Sequence, residues 1–159
     1  MTDGIPKSRI PALAVATAFG VGYVPVASGT FGSAVGLLLW AALPATTLIH
    51  AIAIVTLFAA GSWAGTVAER HFGRTDPGEV VVDEVMGMLL TLFLTGAGWK
   101  IAVAGFVLFR FFDVVKPYPA RRLERLPGGV GVMADDAMAA IYANVALRAL
   151  LALGNRVIW

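Results

Sequence analysis

Acidic residues set inside long apolar runs constrain this chain more than any other feature. The runs read Val80-Val81-Val82-Asp83-Glu84-Val85-Met86-Gly87-Met88-Leu89-Leu90, then Phe106 to Val115 with Arg110 and Asp113 embedded, then Val130 to Leu153 with Asp135-Asp136 embedded. A carboxylate in or beside hydrocarbon costs about 3 kcal/mol or more, so ionisable groups there face one another, a cavity or a bound ion. Three such placements in one chain point to one shared polar site.

The composition identifies the medium around that site. Of 159 residues, 58% are hydrophobic and 14% charged, and the mean hydropathy is +0.81, against a globular norm of roughly 45–50% apolar and 25% charged. Such a chain reads as an integral membrane protein. No linker, charge block or internal repeat divides it, so residues 1–159 are expected to form a single membrane-embedded domain. The absence of cysteine excludes disulfides, Cys-ligated metals and a thiol nucleophile. A net charge of +2 makes no case for nucleic acid.

About 20 apolar residues make a helix that crosses the hydrocarbon. Five crossings are predicted, at about 31–48, 50–68, 84–98, 100–115 and 132–153. Ile10 to Ala27 is apolar but broken by Gly20, Gly22 and Pro25. It is expected to be an interfacial or re-entrant segment, with a removed signal peptide the lesser alternative. The expected fold is therefore all-α: an integral membrane helical bundle of about five transmembrane helices plus that N-terminal segment. Lys7, Arg9, Arg70, Arg74, Lys116, Arg121, Arg122 and Arg125 then share one side, with Lys100 and Arg156 on the other. The positive-inside rule makes the first side cytoplasmic. Trp99 and Trp159 fall at the outer interface, and every acidic residue from Asp3 to Asp136 falls in the cytoplasmic half.

Ser28-Gly29-Thr30-Phe31-Gly32-Ser33 opens the first predicted crossing, with its helix starting near residue 31. Its glycines would let backbone N–H groups approach an anion, with hydroxyls from Thr30 and Ser33; the plainer alternative is a glycine-rich turn with a Ser or Thr cap. Asp83-Glu84 opens the third crossing and Asp135-Asp136 the fifth. A single Asp would read as a cap or a dipole partner, but each of these sites has two carboxylates flanked by apolar residues. Asp113 stands near the C-terminal end of the fourth crossing, where the helix dipole disfavours an anion, so Arg110 or Lys116 at i±3, or a cation, must stabilise it. A buried ion-pair network is the structural alternative for all these acids.

Five carboxylates with few matching cations make a hard-oxygen site suited to Mg²⁺. Arg110, Lys116, Arg121, Arg122 and Arg125 beside it form an anion-binding rim, part of which also serves topology and attraction to anionic lipid. Acidic oxygens for a metal beside basic groups for phosphate are the components of metal-assisted phosphoryl chemistry.

Four segments carry a resemblance: Ser-Gly-Thr-Phe-Gly-Ser at 28–33, Asp83-Glu84-Val85-Met86-Gly87, Phe109-Arg110 through Asp113 to Lys116-Pro117-Tyr118-Pro119, and Gly128-Gly129-Val130-Gly131-Val132-Met133-Ala134-Asp135-Asp136. Together they resemble, in order and from about residue 8 to 150, the successive motifs of the bacterial phosphatidylglycerophosphatase A family. Ser28, where a Pro is common, and Ala140, where a Gly often follows the Asp pair, depart from the pattern and leave the charged set intact. The resemblance implies a Mg²⁺-dependent hydrolase that removes the terminal phosphate of a phospholipid, phosphatidylglycerol phosphate, at the cytoplasmic face of the bacterial inner membrane.

Cysteine phosphatases are excluded by composition, and neither an Arg-His-Gly nor an Asp-x-Asp-x-[Thr/Val] motif is present. What remains is water activated by Mg²⁺ and a carboxylate, attacking in line, with a carboxylate nucleophile forming an acyl-phosphate the lesser alternative. Asp83, Glu84, Asp113, Asp135 and Asp136 are the expected metal ligands and general base, while Gly29, Thr30, Ser33, Arg110 and Lys116 are expected to hold phosphate oxygens. His50 and His71 read as interface histidines, with His71 near enough to the acidic connection to stay open as a catalyst. A cation transporter using intramembrane carboxylates is the alternative function, against which the basic rim counts. A CDP-alcohol phosphotransferase would need an Asp-x-x-Asp-Gly pattern that the sequence lacks.

Overall fold

The computed structural model describes the backbone of residues 7–157 and the side chains of 8–154; Asp3, Trp159 and the side chains of Lys7 and Arg156 lie outside the described residues. Among the described residues the chain is all helix and turn, with no strand. The α-helices are α1 (Ile10–Ala16), α2 (Ser28–Ala42), α3 (Thr47–Phe72), α4 (Val82–Thr91), α5 (Trp99–Val115), α6 (Ala120–Leu123) and α7 (Gly129–Val157). The N-terminal apolar run breaks as its glycines suggest: after α1, Ala18, Phe19 and Gly20 all take positive φ. A 3₁₀ turn at Val21–Tyr23 then leads into α2.

Among the described residues, α3 and the Gly129–Gly154 part of α7 are the two helices long and apolar enough to cross a membrane. The third expected crossing, 84–98, is not one helix: α4 ends at Thr91, and Leu94, Gly96 and Gly98 adopt positive φ beyond it. Its 10 residues span about 15 Å, half of a hydrocarbon core of about 30 Å. Hydropathy missed the break because tertiary partners stabilise it. Asn144 Nδ2 of α7 donates to the carbonyls of Thr91 and Phe93, each at 2.8 Å, and Arg148 Nη2 donates to that of Leu94 at 3.1 Å. The Thr91 carbonyl at the end of α4 and those of the turn beyond it, which the helix itself cannot satisfy, therefore find side-chain donors on α7.

α4 packs among α2, α3, α5 and α7. Close approach of α2 depends on Gly36, where a Cβ would stand 2.8 Å from Met88 Cβ. Phe109, Met88, Leu92, Ala140 and Leu147 fill one core region, and Leu13, Ala64, Val82, Met86 and Met133 fill the other. Outward, Leu38, Val55, Val107 and Val145 are each more than half exposed, giving the large apolar exterior of a membrane-associated protein. This packing collects the starts of α2, α4 and α7 and the ends of α3 and α5 at one end of the bundle, and the acids lie there.

Candidate active site

Asp83 and Glu84 occupy the first turn of α4, whose entry is fixed by the Val81 N–H donating to Ala16 O at 2.8 Å. Asp135 and Asp136 lie well inside α7, because that helix begins at Gly129 rather than near 132. The Gly129 N–H donates to Thr66 Oγ1 of α3 at 2.9 Å and anchors that start. Dipole stabilisation fades beyond the first turn, so capping accounts for at most the α4 pair.

The side chains of Asp83, Glu84 and Asp136 converge, with one oxygen from each lying within 4.8 Å of the others. Asp83 Oδ1, Glu84 Oε2 and Asp136 Oδ2 are buried and have no hydrogen-bond partner. An unpaired buried carboxylate oxygen is costly, and three facing one another suit a divalent cation held by hard oxygen ligands. The donor set therefore fits Mg²⁺.

The other two acids are paired. Arg110 Nη1 lies 2.7 Å from Asp113 Oδ2, 3.7 Å from Glu84 Oε1 and 3.4 Å from Ser33 Oγ. Of the two candidate partners for Asp113, Arg110 is thus the one used. Lys116 turns instead to α7, donating from Nζ to Asp135 Oδ2 at 2.6 Å, with Glu124 at 3.6 Å and Asp76 at 4.0 Å. Burial alone would push the Lys116 ammonium down, but its hydrogen bond to Asp135 and the charges of Asp135, Asp76 and Glu124 outweigh this and hold it above the ordinary lysine range. The five carboxylates form a trio next to two ion pairs.

The residues at 28–33 do not form a loop ahead of a helix near 31, because α2 starts at Ser28. Ala27, in the left-handed region, precedes it, and Ser28 Oγ donates to Gly78 O at 2.7 Å. Gly29 packs directly on the site: a Cβ there would collide with Glu84 Oε1 and stand 3.0 Å from Arg110 Nη1. Ser33 is buried, with its hydroxyl donating to Gly29 O at 2.8 Å and facing Arg110. Thr30 is exposed in the first turn. His71 packs edge-on against Phe72 at 4.9 Å and His50 bonds Thr46 O at the far end of the bundle, so neither histidine enters the described site.

Sequence reasoning missed Asp76. It sits in the α3–α4 connection with φ 46°, its N–H donating to Glu69 Oε1 at 3.2 Å. Burial pushes its carboxyl up, against the pull of Lys116. Its only signal was the turn sequence Asp76-Pro77-Gly78.

An all-helical bundle with an apolar exterior and carboxylates converging beside an arginine and a lysine defines a membrane-associated protein with a site for charged groups. Sequence comparison makes this particular. The profile of the family Phosphatidylglycerophosphatase A matches residues 14–151. A Bacteroides thetaiotaomicron protein named provisionally as a phosphatidylinositol-3-phosphatase is 40% identical over 87% of this chain and 91% of its own. The phosphatidylglycerophosphatase A proteins of Haemophilus influenzae and Escherichia coli are 35% and 32% identical, over 94% and 86% of this chain and 97% and 84% of theirs. The chain belongs to the phosphatidylglycerophosphatase A family, and so to the phosphatases. No solved structure matches it. The transporter alternative finds no support in these relatives.

Proposed function

We propose that the protein hydrolyses the terminal phosphomonoester of phosphatidylglycerol phosphate, releasing phosphatidylglycerol and inorganic phosphate at the cytoplasmic face of the bacterial inner membrane, with Mg²⁺ as cofactor. One observation carries the reading: three unpartnered carboxylate oxygens from Asp83, Glu84 and Asp136 converge beside Arg110. Family membership and the named relatives support the substrate. The relatives' two named lipids share one chemistry, a polyol headgroup carrying a phosphomonoester and joined to diacylglycerol through a phosphodiester.

Asp83, Glu84 and Asp136 would hold the cation, with Asp113 and Asp135 as further ligands once a phosphate draws Arg110 and Lys116 away. Bound there, Mg²⁺ supplies charge neutralisation on the phosphoryl oxygens and a more acidic water. Arg110 and Lys116 offer N–H donors to the phosphate oxygens, while Ser33 steadies Arg110 and Thr30 and Gly29 border the same space at the start of α2. A carboxylate oxygen of the trio accepts the proton of the attacking water. The P–O bond to the headgroup breaks, and the departing oxygen takes up a proton. The multi-pass arrangement with five crossings belongs to this proposal too. In it α4 and the 92–98 turns together fill one crossing, supported by Asn144 and Arg148.

The test is phosphate release from phosphatidylglycerol phosphate by protein purified in neutral detergent, run beside thermal melting. Mg²⁺ should switch on release and raise the melting temperature, and chelation should reverse both, because a ligand bound only by the native state stabilises it. Release that persists in full under chelation would remove the metal from the mechanism. Ion flux in liposomes without phosphate release would overturn the enzyme reading.

A further inference from the structure

We infer that the basic cleft lined by Lys116, Tyr118, Arg121, Arg122 and Arg125 is a second phosphate subsite, holding the phosphodiester of a two-phosphate lipid while the carboxylate site works on the terminal monoester. This rests on the phosphatase reading above. The cleft is an open depression of about 410 Å³. Arg110 and Lys116 each meet carboxylates, whereas among the described residues none of Arg121, Arg122 and Arg125 does. Three arginines lining one concavity, none of them paired with a carboxylate, suit an anionic ligand.

The cleft is built rather than merely charged. Arg122 Nη1 donates to Tyr118 Oη at 3.1 Å, and its guanidinium lies over the Tyr118 ring, 5.5 Å from the centroid. The Tyr118 carbonyl in turn accepts a hydrogen bond from Tyr142 Oη at 2.9 Å. Tyr142 belongs to α7, the helix that carries Asp135 and Asp136, so one rigid element positions both the cleft wall and the acids. Lys116 joins the two spaces, lining the cleft while its Nζ reaches Asp135. General attraction to anionic lipid needs only exposed charge and explains neither the stacked Arg122 nor the pinned Tyr118.

Phosphate prefers the planar fork of arginine. A diester held in the cleft leaves the polyol between the two sites, so selection falls on the presence of two phosphates more than on the identity of the polyol. Phosphatidic acid, whose single phosphate sits directly on diacylglycerol, can fill one site but not both.

The test compares wild type with Arg121→Gln, Arg122→Gln, Arg125→Gln and the triple variant in neutral detergent micelles. Against phosphatidylglycerol phosphate the triple variant should raise KM about tenfold or more, the scale of one lost charge-assisted hydrogen bond, with kcat little changed. Its rate on phosphatidic acid should match wild type. Equal losses on both lipids, or none on either, would overturn the inference. A binding arm does not depend on turnover: dihexanoyl phosphatidylglycerol, which carries the diester alone, should bind wild type about tenfold more tightly than the triple variant by titration calorimetry. Equal binding would remove the subsite even in an active phosphatase. A wild type that binds this lipid in the cleft but releases no phosphate from either substrate would instead refute the phosphatase reading alone.

Discussion

Lys116 Nζ and Asp135 Oδ2 meet at 2.6 Å across 19 residues of sequence, joining the end of α5 to the interior of α7. Asp135 is almost wholly buried, while the Lys116 side chain keeps 23% of its exposure, so the pair sits where protein meets the open end of the site. Lys116→Met would leave Asp135 as an uncompensated buried charge. The expected cost is about 2 kcal/mol, below that of a fully buried pair because Lys116 is partly exposed, together with loss of phosphate release. Denaturant melts of Lys116→Met and of Lys116→Met/Asp135→Leu test this: the double variant should recover stability and stay inactive.

The trio and the pairs should respond oppositely to neutralisation. Asp83→Asn and Asp136→Asn remove like charge from a place where carboxylates crowd, so melting without metal should hold or rise while activity falls on the order of 100-fold or more. Asp113→Asn takes the partner from Arg110 and should melt lower. Destabilised Asp83→Asn or Asp136→Asn proteins with near-normal rates would make those acids scaffolding.

Asn144 carries the broken end of α4. Its Nδ2 faces the carbonyls of Leu90, Thr91 and Phe93; Leu90 and Phe93 keep donors in the Phe93 N–H and Arg148, so Asn144→Leu should cost about 1–2 kcal/mol by orphaning the Thr91 carbonyl. Asn144→Asp should be worse, because it sets an anion against carbonyl oxygens. Thermal melts of the two variants rank them, and the reverse order would mean that Asn144 acts only by filling space.

Topology is open to chemical labelling because the chain has no cysteine. Pro127 and Ala97 are both exposed, at opposite ends of the bundle. Pro127→Cys should react with an impermeant thiol reagent only after cells are opened, and Ala97→Cys on intact cells. The opposite pattern would invert the proposed orientation.

Much of the site was legible because charge in an apolar run is costly wherever the chain goes. That argument holds for a sequence alone, and it singled out Asp83, Glu84, Asp113, Asp135 and Asp136, all of which lie at one end of the bundle. Gly20, Gly22 and Pro25 likewise marked Ile10 to Ala27 as no simple span, in keeping with the positive φ at Ala18, Phe19 and Gly20. Ala140, read as a departure from the family pattern, is buried in the same core region as Phe109 and Leu147.

What the sequence could not decide depends on partners distant along the chain. Composition cannot distinguish a long helix from a short one whose last carbonyls are satisfied by Asn144 and Arg148, so α4 was read too long. Spacing allowed either Arg110 or Lys116 for Asp113, and only the approach of α7 to the end of α5 drew Lys116 to Asp135. Asp76 and the stacking of Arg122 on Tyr118 arise from turns whose paths are set by what they pack against. The sequence by itself determined which groups must find compensation. The tertiary structure decided who compensates whom, because burial makes each pairing strong only at contact distance, and contact distance is a property of the fold.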